Sequence, residues 1–211
     1  MHTDVLMQNA CQYEELSPNV WSPTHHLPEI KLDDPGLTTK REQSPSQQLA
    51  LPLEMIDRLY PKTTWIHAFT DGSAENAIRK GGSGEYIGNP DGSSASLSIP
   101  VGELSSNYRA ELQALIAATE LLIEKGKKQN TVLLTDSLSA LQSLSSGPSE
   151  LLIRQLQETF NALNQSCKVI LQWIPAHVGV AGKEKADQLA KAGSCLPQLN
   201  SSISYSEASQ S

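Results

Sequence analysis

The hydrophobic pattern of the chain is regular only in its middle part. Residues 1–48 contain five prolines and no sustained helical or strand period, and the serine-rich residues 195–211 have no apolar period. Segments of this kind cannot bury a face and are typical of linkers and tails. We therefore expect an extended or disordered linker over 1–48, a lead-in helix over 49–63, an ordered domain over 64–194 and a disordered tail over 195–211.

The first elements of the domain follow from the spacing of apolar residues. Leucine and isoleucine recur every three to four residues over 49–59, which predicts a helix that begins near Pro52 and ends before Pro61. Three strands are predicted next, joined by short turns, the first of which is an Asp-Gly turn; they cover 65–71, 83–88 and 96–101. Short connections make these three strands an antiparallel meander.

Helices and strands alternate in the rest of the domain. The pattern predicts a helix at 107–125, a buried strand at 131–135, a helix at 137–144, a helix that begins at Ser149, a strand at 168–174 and a helix at 182–192. Strand-helix-strand crossovers are right-handed and place their helices against the sheet. The sequence therefore predicts an α/β fold with one mixed five-stranded sheet, in which three antiparallel strands are followed by two parallel ones, and with helices on both faces.

Composition and charge exclude several classes of protein. No apolar run reaches 18 residues, and the N-terminus lacks the basic start and apolar core of a signal peptide. We therefore expect a protein of the cytoplasm or nucleus that is neither secreted nor inserted in a membrane. Three widely spaced cysteines argue against a disulfide framework and a zinc cluster. The net charge of −7 argues against a nucleic-acid partner, but residues 51–195 hold 15 acids and 13 bases and are nearly neutral.

Two aspartates end two of the predicted strands. Asp71 follows Thr70 at the end of the first strand, and Asp136 follows Thr135 at the end of the fourth. Taken singly, each is explained as part of an Asp-Gly turn or as a helix N-cap. If the crossover places the two strands side by side and parallel, their carboxylates lie about one strand spacing, ~4.8 Å, apart. Two like charges at that distance need a cation.

Two further acids and a histidine extend this pattern. Glu111 and Asp187 flank the apolar stripes of two helices, where a carboxylate near a helix N-terminus is an alternative explanation. If all four acids converge, their oxygens suit magnesium or manganese and two-metal phosphoryl chemistry. His177 lies in a glycine-containing loop, either as a solvated residue or as a group for proton transfer.

Four sequence blocks occur in a recognisable order: TDGSA at 70–74, NYRAELQAL at 107–115, LLTDSLSAL at 133–141 and WIPAHVGVAGKEKAD at 173–187. In order and spacing they resemble the type 1 ribonuclease H domain. In detail they resemble the ribonuclease H domain of polyproteins from jockey-like non-LTR retrotransposons. The resemblance covers about residues 64–194 and is specific because four blocks agree, whereas any single block is weak.

The resemblance implies a ribonuclease H-like fold and an endonuclease that hydrolyses the RNA strand of RNA/DNA hybrids with two Mg²⁺ ions, for which Mn²⁺ substitutes. It implies a reverse transcriptase domain upstream, with residues 1–48 as the connecting linker, and we expect a monomer. The resemblance implies that the family's four metal ligands correspond to Asp71, Glu111, Asp136 and Asp187. The family's mobile-loop histidine corresponds to His177. Its contacts to RNA 2′-hydroxyls correspond to Gly72, Ser73 and Asn107.

Two departures from the family pattern bear on function. Many members have Asn where this chain has Lys183, and only Ser145–Pro148 separates two helices where bacterial cellular enzymes insert a basic helix and handle. Without that handle, weaker independent binding of substrate is expected. Two alternatives remain: an inactive or exapted hybrid-binding module derived from a retrotransposon, and a DNA strand-transfer enzyme of the integrase type, which His177 and Asn107 disfavour.

Overall fold

A computed structural model of the protein describes residues 28–32, 44–146 and 151–198. Six strands and five helices lie in these residues, in the order β1 (Glu29–Lys31), α1 (Pro45–Leu59), β2 (Ile66–Glu75), β3 (Arg79–Gly88), β4 (Ser94–Leu104), α2 (Asn107–Glu124), β5 (Thr131–Thr135), α3 (Leu138–Ser146), α4 (Leu151–Asn164), β6 (Val169–Trp173) and α5 (Ala181–Ser194). Among the described helices, none combines the length and apolar character that a bilayer-spanning segment requires.

All strands belong to one sheet with the order β1-β6-β5-β2-β3-β4. The pairs β2–β3 and β3–β4 are antiparallel, whereas β2–β5, β5–β6 and β1–β6 are parallel. This arrangement confirms the predicted α/β fold, with a meander followed by parallel strands.

Residues of β2 and β5 alternate between two apolar cores, one on each face of the sheet. Ile66 and Leu133 pack with residues of α2, α3 and α4, whereas Phe69 and Leu134 pack with residues of α1 and α5. Successive side chains of a strand point to opposite faces, so strands buried on both sides carry the nearly continuous apolar runs seen in the sequence. Helices therefore cover both faces, as predicted.

The predicted count of five strands is wrong, because β1 adds a sixth. It pairs in parallel with β6, with Ile30 opposite Leu171, within the segment that we expect to be a linker. Three residues are too few to show a period. The pairing depends on backbone groups at the edge of β6, and the side-chain pattern gives no signal of it. The rest of the predicted linker, 1–27 and 33–43, lies outside the described residues.

Residues beyond the apolar pattern make contacts near both ends of the domain. Helix α1 begins at Pro45, ahead of the predicted lead-in segment 49–63 and of the predicted helix start near Pro52. A capping box stabilises this earlier start: the Ser44 hydroxyl accepts from the Gln47 N–H at 3.4 Å, and the Ser44 N–H donates to Gln47 Oε1 at 2.9 Å. At the other end, Gln198 Oε1 accepts from the Gly102 N–H at 2.9 Å, while residues 199–211 of the predicted tail lie outside the described residues.

The predicted Asp-Gly turn after the first strand is wrong. Strand β2 continues through Gly72 to Glu75, and the turn to β3 uses Asn76 and Ala77, whose φ angles are 51° and 68°. Gly72 serves close packing instead, because a Cβ there would collide with the backbone nitrogen of Glu111 on α2. The antiparallel ladder therefore extends beyond the apolar alternation that marks the strand in the sequence.

Helix α5 packs closely on β3 through a second glycine, which gives a test of the fold. A Cβ at Gly84 would collide with the backbone of Ala186 and Ala190, whereas one at Gly88 on the same strand would meet nothing within 4 Å. We expect Gly84→Ala to lower the free energy of unfolding by about 1–3 kcal/mol, because backbone atoms must shift. Gly88→Ala should change it by less than about 0.5 kcal/mol. Urea unfolding of both variants checks this, and equal effects would contradict the packing.

Candidate metal centre

Three carboxylates from three elements meet at one edge of the sheet. Asp71 lies on β2, Glu111 on α2 and Asp136 directly after β5, and one oxygen of each lies within 4.8 Å of the others. The structure thus brings together three of the four predicted metal ligands. These three residues are called the carboxylate cluster below.

Strand pairing places the two aspartates side by side. The parallel ladder between β2 and β5 ends at the pair Phe69 and Leu134, so that Asp71 and Asp136 each follow two residues later. The backbone at Asp136 is held from β6, because Trp173 Nε1 donates to its carbonyl oxygen at 3.2 Å. Parallel strands end at the same edge of a sheet, which is why the sequence could predict this proximity.

Contacts at the start of α2 bring Glu111 to the aspartates. The Ser106 hydroxyl caps the helix by accepting from the Arg109 N–H at 3.1 Å. Asn107 joins the helix to the β2–β3 hairpin: its Oδ1 accepts from the Ala74 N–H at 2.8 Å. Together with the missing side chain at Gly72, these bonds hold the first turns of α2 against β2.

A lysine of α5 completes the cluster. Lys183 Nζ lies 2.7 Å from Asp71 Oδ1 and 2.6 Å from Asp136 Oδ1, and it donates to the Thr70 carbonyl oxygen at 2.8 Å. The residue is only 4% exposed. The sequence predicted no role for Lys183, although its departure from the asparagine common in the family marked the position.

Burial and mutual repulsion oppose the ionisation of two residues of the cluster, Asp71 and Glu111. Burial raises the pKa of Asp71, and the charges of Asp136 and Asp187 add to this increase, while Lys183 opposes it. Burial likewise holds the pKa of Glu111 well above its usual range, again against the influence of Lys183. Burial alone would lower the pKa of Lys183, but the neighbouring carboxylates outweigh it and raise that pKa. The ammonium therefore stays charged, and it limits the rise in the pKa of Asp71 and of Glu111.

The remaining carboxylate shows whether the cluster fits a metal ion. Glu111 Oε2 is buried and has no hydrogen-bond partner among the described residues. Leaving a buried carboxylate oxygen unpaired is costly, and a cation would satisfy it. Carboxylate oxygens are also the ligands that suit Mg²⁺ and Mn²⁺. The residues present therefore fit a divalent cation.

Asp187 lies near the cluster but outside it. The residue is partly buried on α5, and its Oδ2 accepts from Lys191 Nζ at 2.6 Å. Lys183, Asp187 and Lys191 follow one another at four-residue spacing and so share one face of the helix. Because the Lys183 ammonium contacts Asp71 and Asp136, that face is directed toward the carboxylate cluster.

The predicted loop histidine is exposed between β6 and α5. His177 has a φ of 52°, a conformation that few non-glycine residues adopt, and Gly179 follows at 88°. Of the predicted substrate contacts, Gly72 and Ser73 are partly buried within β2, and Asn107 is exposed at the start of α2. Gly72 lies against the backbone of Glu111, and Asn107 lies four residues before Glu111 on α2.

Comparison with known proteins covers the same part of the chain. A family model described as RNase H matches residues 63–195, which include the whole cluster. RNase H1 from the archaeon Halobacterium salinarum NRC-1 is similar in structure, with a TM-score of 0.50 and 23% identity over 61% of this chain and 96% of that one. The N-terminal RNase H domain of a Mycobacterium tuberculosis protein, solved as a fusion with maltose-binding protein, gives a TM-score of 0.50 and 20% identity over 62% and 96%. The two structures support the fold.

A buried carboxyl outside the cluster, on β3, makes stability depend on pH. Glu85 is fully buried, and this burial raises its pKa to about 8, only partly offset by the Ser83 hydroxyl. The unfolded chain releases the proton near pH 4.5, whereas the folded chain keeps it. Between these two values the unfolded state binds fewer protons, so stability should fall as pH rises, by up to about 1.4 kcal/mol per pH unit.

We expect Glu85→Gln to remove this part of the pH dependence, because glutamine has no proton to lose. Urea unfolding at pH 5 and pH 8 measures the difference, and Glu54→Gln on the exposed side of α1 serves as the control. The same slope in wild type and Glu85→Gln would show that Glu85 is not the group responsible.

Proposed function

Because the chain belongs to the RNase H family and is a ribonuclease H, we propose that it is an endonuclease that hydrolyses the RNA strand of RNA/DNA hybrids. The observation that carries this proposal is the carboxylate cluster, which lies inside the matched region and fits a divalent cation. When bound, two Mg²⁺ ions, or Mn²⁺ in their place, would supply charge neutralisation and an activated water for phosphodiester hydrolysis.

We assign the metal-holding role to Asp71, Glu111, Asp136 and Asp187. The first three are already within 4.8 Å of one another, and each comes from a different element, so their positions are fixed by the sheet and by α2. Asp187 would join them by exchanging its bond to Lys191 for a place in the site. The electrostatic influence of Asp187 on Asp71 supports this role.

We assign proton transfer to His177 and substrate contact to Gly72, Ser73 and Asn107. The exposed imidazole of His177 lies in the loop that leads into α5, where it can exchange protons with the attacking or leaving oxygen. Asn107 uses its Oδ1 to accept from Ala74, which leaves the amide nitrogen as a donor at the surface. A donor of this kind suits the 2′-hydroxyl that distinguishes RNA from DNA.

The sequence blocks also support a biological setting. We propose that the chain acts in retrotransposon reverse transcription, as a monomer beside an upstream reverse transcriptase domain. Hybrids formed in that process would place its activity in the cytoplasm or the nucleus. Helices α3 and α4 are separated by only 147–150, too few residues for a basic handle, so the upstream domain would raise local substrate concentration.

Loss of one aspartate gives the sharpest test of the proposed reaction. We expect Asp136→Asn to abolish cleavage of the RNA strand of a labelled hybrid in Mg²⁺, because an amide removes one anionic ligand. The fold should persist by circular dichroism. Asp57→Asn on the exposed face of α1 is the matched control and should cleave like wild type.

Parallel reactions on duplex DNA and duplex RNA test the substrate class. Cleavage confined to the hybrid supports the proposal, whereas unchanged cleavage by Asp136→Asn would exclude the metal site. Hybrid binding without cleavage by the wild type would indicate a binding module instead.

The proposed proton-transfer role of His177 can be tested separately from metal binding. His177→Ala should lower the turnover of hybrid cleavage by about 10²- to 10⁴-fold, as expected for lost proton transfer, with little change in metal affinity. Single-turnover kinetics and a Mn²⁺ titration measure the two quantities independently. A large loss of Mn²⁺ affinity would show that His177 binds the metal.

A further inference from the structure

The ammonium of Lys183 lies among three oxygen atoms at the carboxylate cluster, in two ion pairs and one hydrogen bond. An ammonium group carries three N–H donors. Here three oxygens surround Nζ at 2.6–2.8 Å: those of Asp136, Asp71 and the Thr70 carbonyl. The ammonium thus occupies a position among oxygen atoms, two from carboxylates and one from a carbonyl, that would also suit a metal ion.

Packing at the start of α5 directs this side chain inward. The preceding residue, Gly182, lies so close to β2 that a Cβ there would collide with the ring of Phe69. Lys183 and Ala186 are both buried on the same side of the helix. The stem of Lys183 is therefore held between α5 and the sheet, and only its ammonium reaches the acids.

We propose that the Lys183 ammonium and a divalent cation are alternative occupants of the carboxylate cluster. The inference rests on the metal site of the proposed function and adds a regulation to it. Asp71 and Asp136 are shared by both occupants, and two cations on the same buried carboxylates would repel each other strongly. Metal binding therefore requires the ammonium to leave.

Competition of this kind lowers the apparent affinity for metal. If the arrangement with Lys183 withdrawn is a minor state of about 10% or less, the apparent dissociation constant is at least about tenfold higher than the intrinsic one. Removing the ammonium should abolish this difference. A merely structural role for Lys183 would predict the opposite, since damage to the site weakens metal binding.

A Mn²⁺ titration of the full chain, followed by electron paramagnetic resonance of free Mn²⁺, tests the competition. We expect Lys183→Met to bind Mn²⁺ at least about tenfold more tightly than wild type. Lys185→Met removes a positive charge from the same helix, where the ammonium lies 4.3 Å from the centre of the Tyr86 ring, and should bind like wild type. Equal or weaker binding by Lys183→Met would overturn the inference.

The wild-type chain provides a second test that does not depend on the stability of a variant. Without divalent cations, Lys183 should react slowly with an amine-acetylating reagent, because it is only 4% exposed. Saturating Mg²⁺ should increase its rate at least about tenfold, toward that of the exposed Lys185, as the ammonium is released. Peptide mass spectrometry measures both rates, and unchanged protection of Lys183 in Mg²⁺ would overturn the inference.

These measurements separate the inference from the proposed function. If wild type cleaves hybrids and binds Mn²⁺ but Lys183→Met binds no more tightly, only the competition is wrong. If neither protein binds Mn²⁺ and wild type does not cleave hybrids, both the metal site and the competition are wrong.

Discussion

Repulsion among buried carboxylates is the constraint on which this edge of the sheet depends. Asp71, Glu111 and Asp136 place one oxygen each within 4.8 Å of the others, and such a group is unstable without positive charge nearby. Lys183 supplies one charge at 2.6–2.7 Å from both aspartates. The fold tolerates the repulsion among these carboxylates because the chain itself supplies a positive charge, that of Lys183.

Close backbone packing on both faces of the sheet makes this arrangement possible. Gly72 allows α2 to approach β2 from one face, and Gly84 allows α5 to approach β3 from the other. Glu111 therefore reaches the edge from the first helix and Lys183 from the second, while the aspartates come from the strands between them. Two glycines without side chains determine how near the charged groups lie, so the chemistry of the site depends on backbone contacts.

Sequence prediction succeeds for features that the side-chain pattern shows and fails for those that depend on backbone contacts. Asp71 and Asp136 are predictable because strands that pair in parallel end at one edge, and Glu111 because it flanks the apolar stripe of a helix that packs on the sheet. Strand β1 is not, since three residues show no period and pair through backbone groups alone. The sequence predicts a turn at Gly72, because its packing role appears only when α2 is in place. Lys183 differs from the asparagine common in the family, but its partners lie 47 and 112 residues away in the sequence, so the sequence does not show them.

A single tethered charge leaves the cluster incompletely balanced. Lys183 pairs with both aspartates, yet Glu111 Oε2 stays buried without a hydrogen-bond partner among the described residues, and burial holds the pKa of Glu111 well above its usual range. A divalent cation carries twice the charge and can bind all three carboxylates at once, which an ammonium with three donors, one of them used by the Thr70 carbonyl, cannot do. The buried, unpartnered oxygen of Glu111 therefore favours a metal ion over the lysine in this cluster.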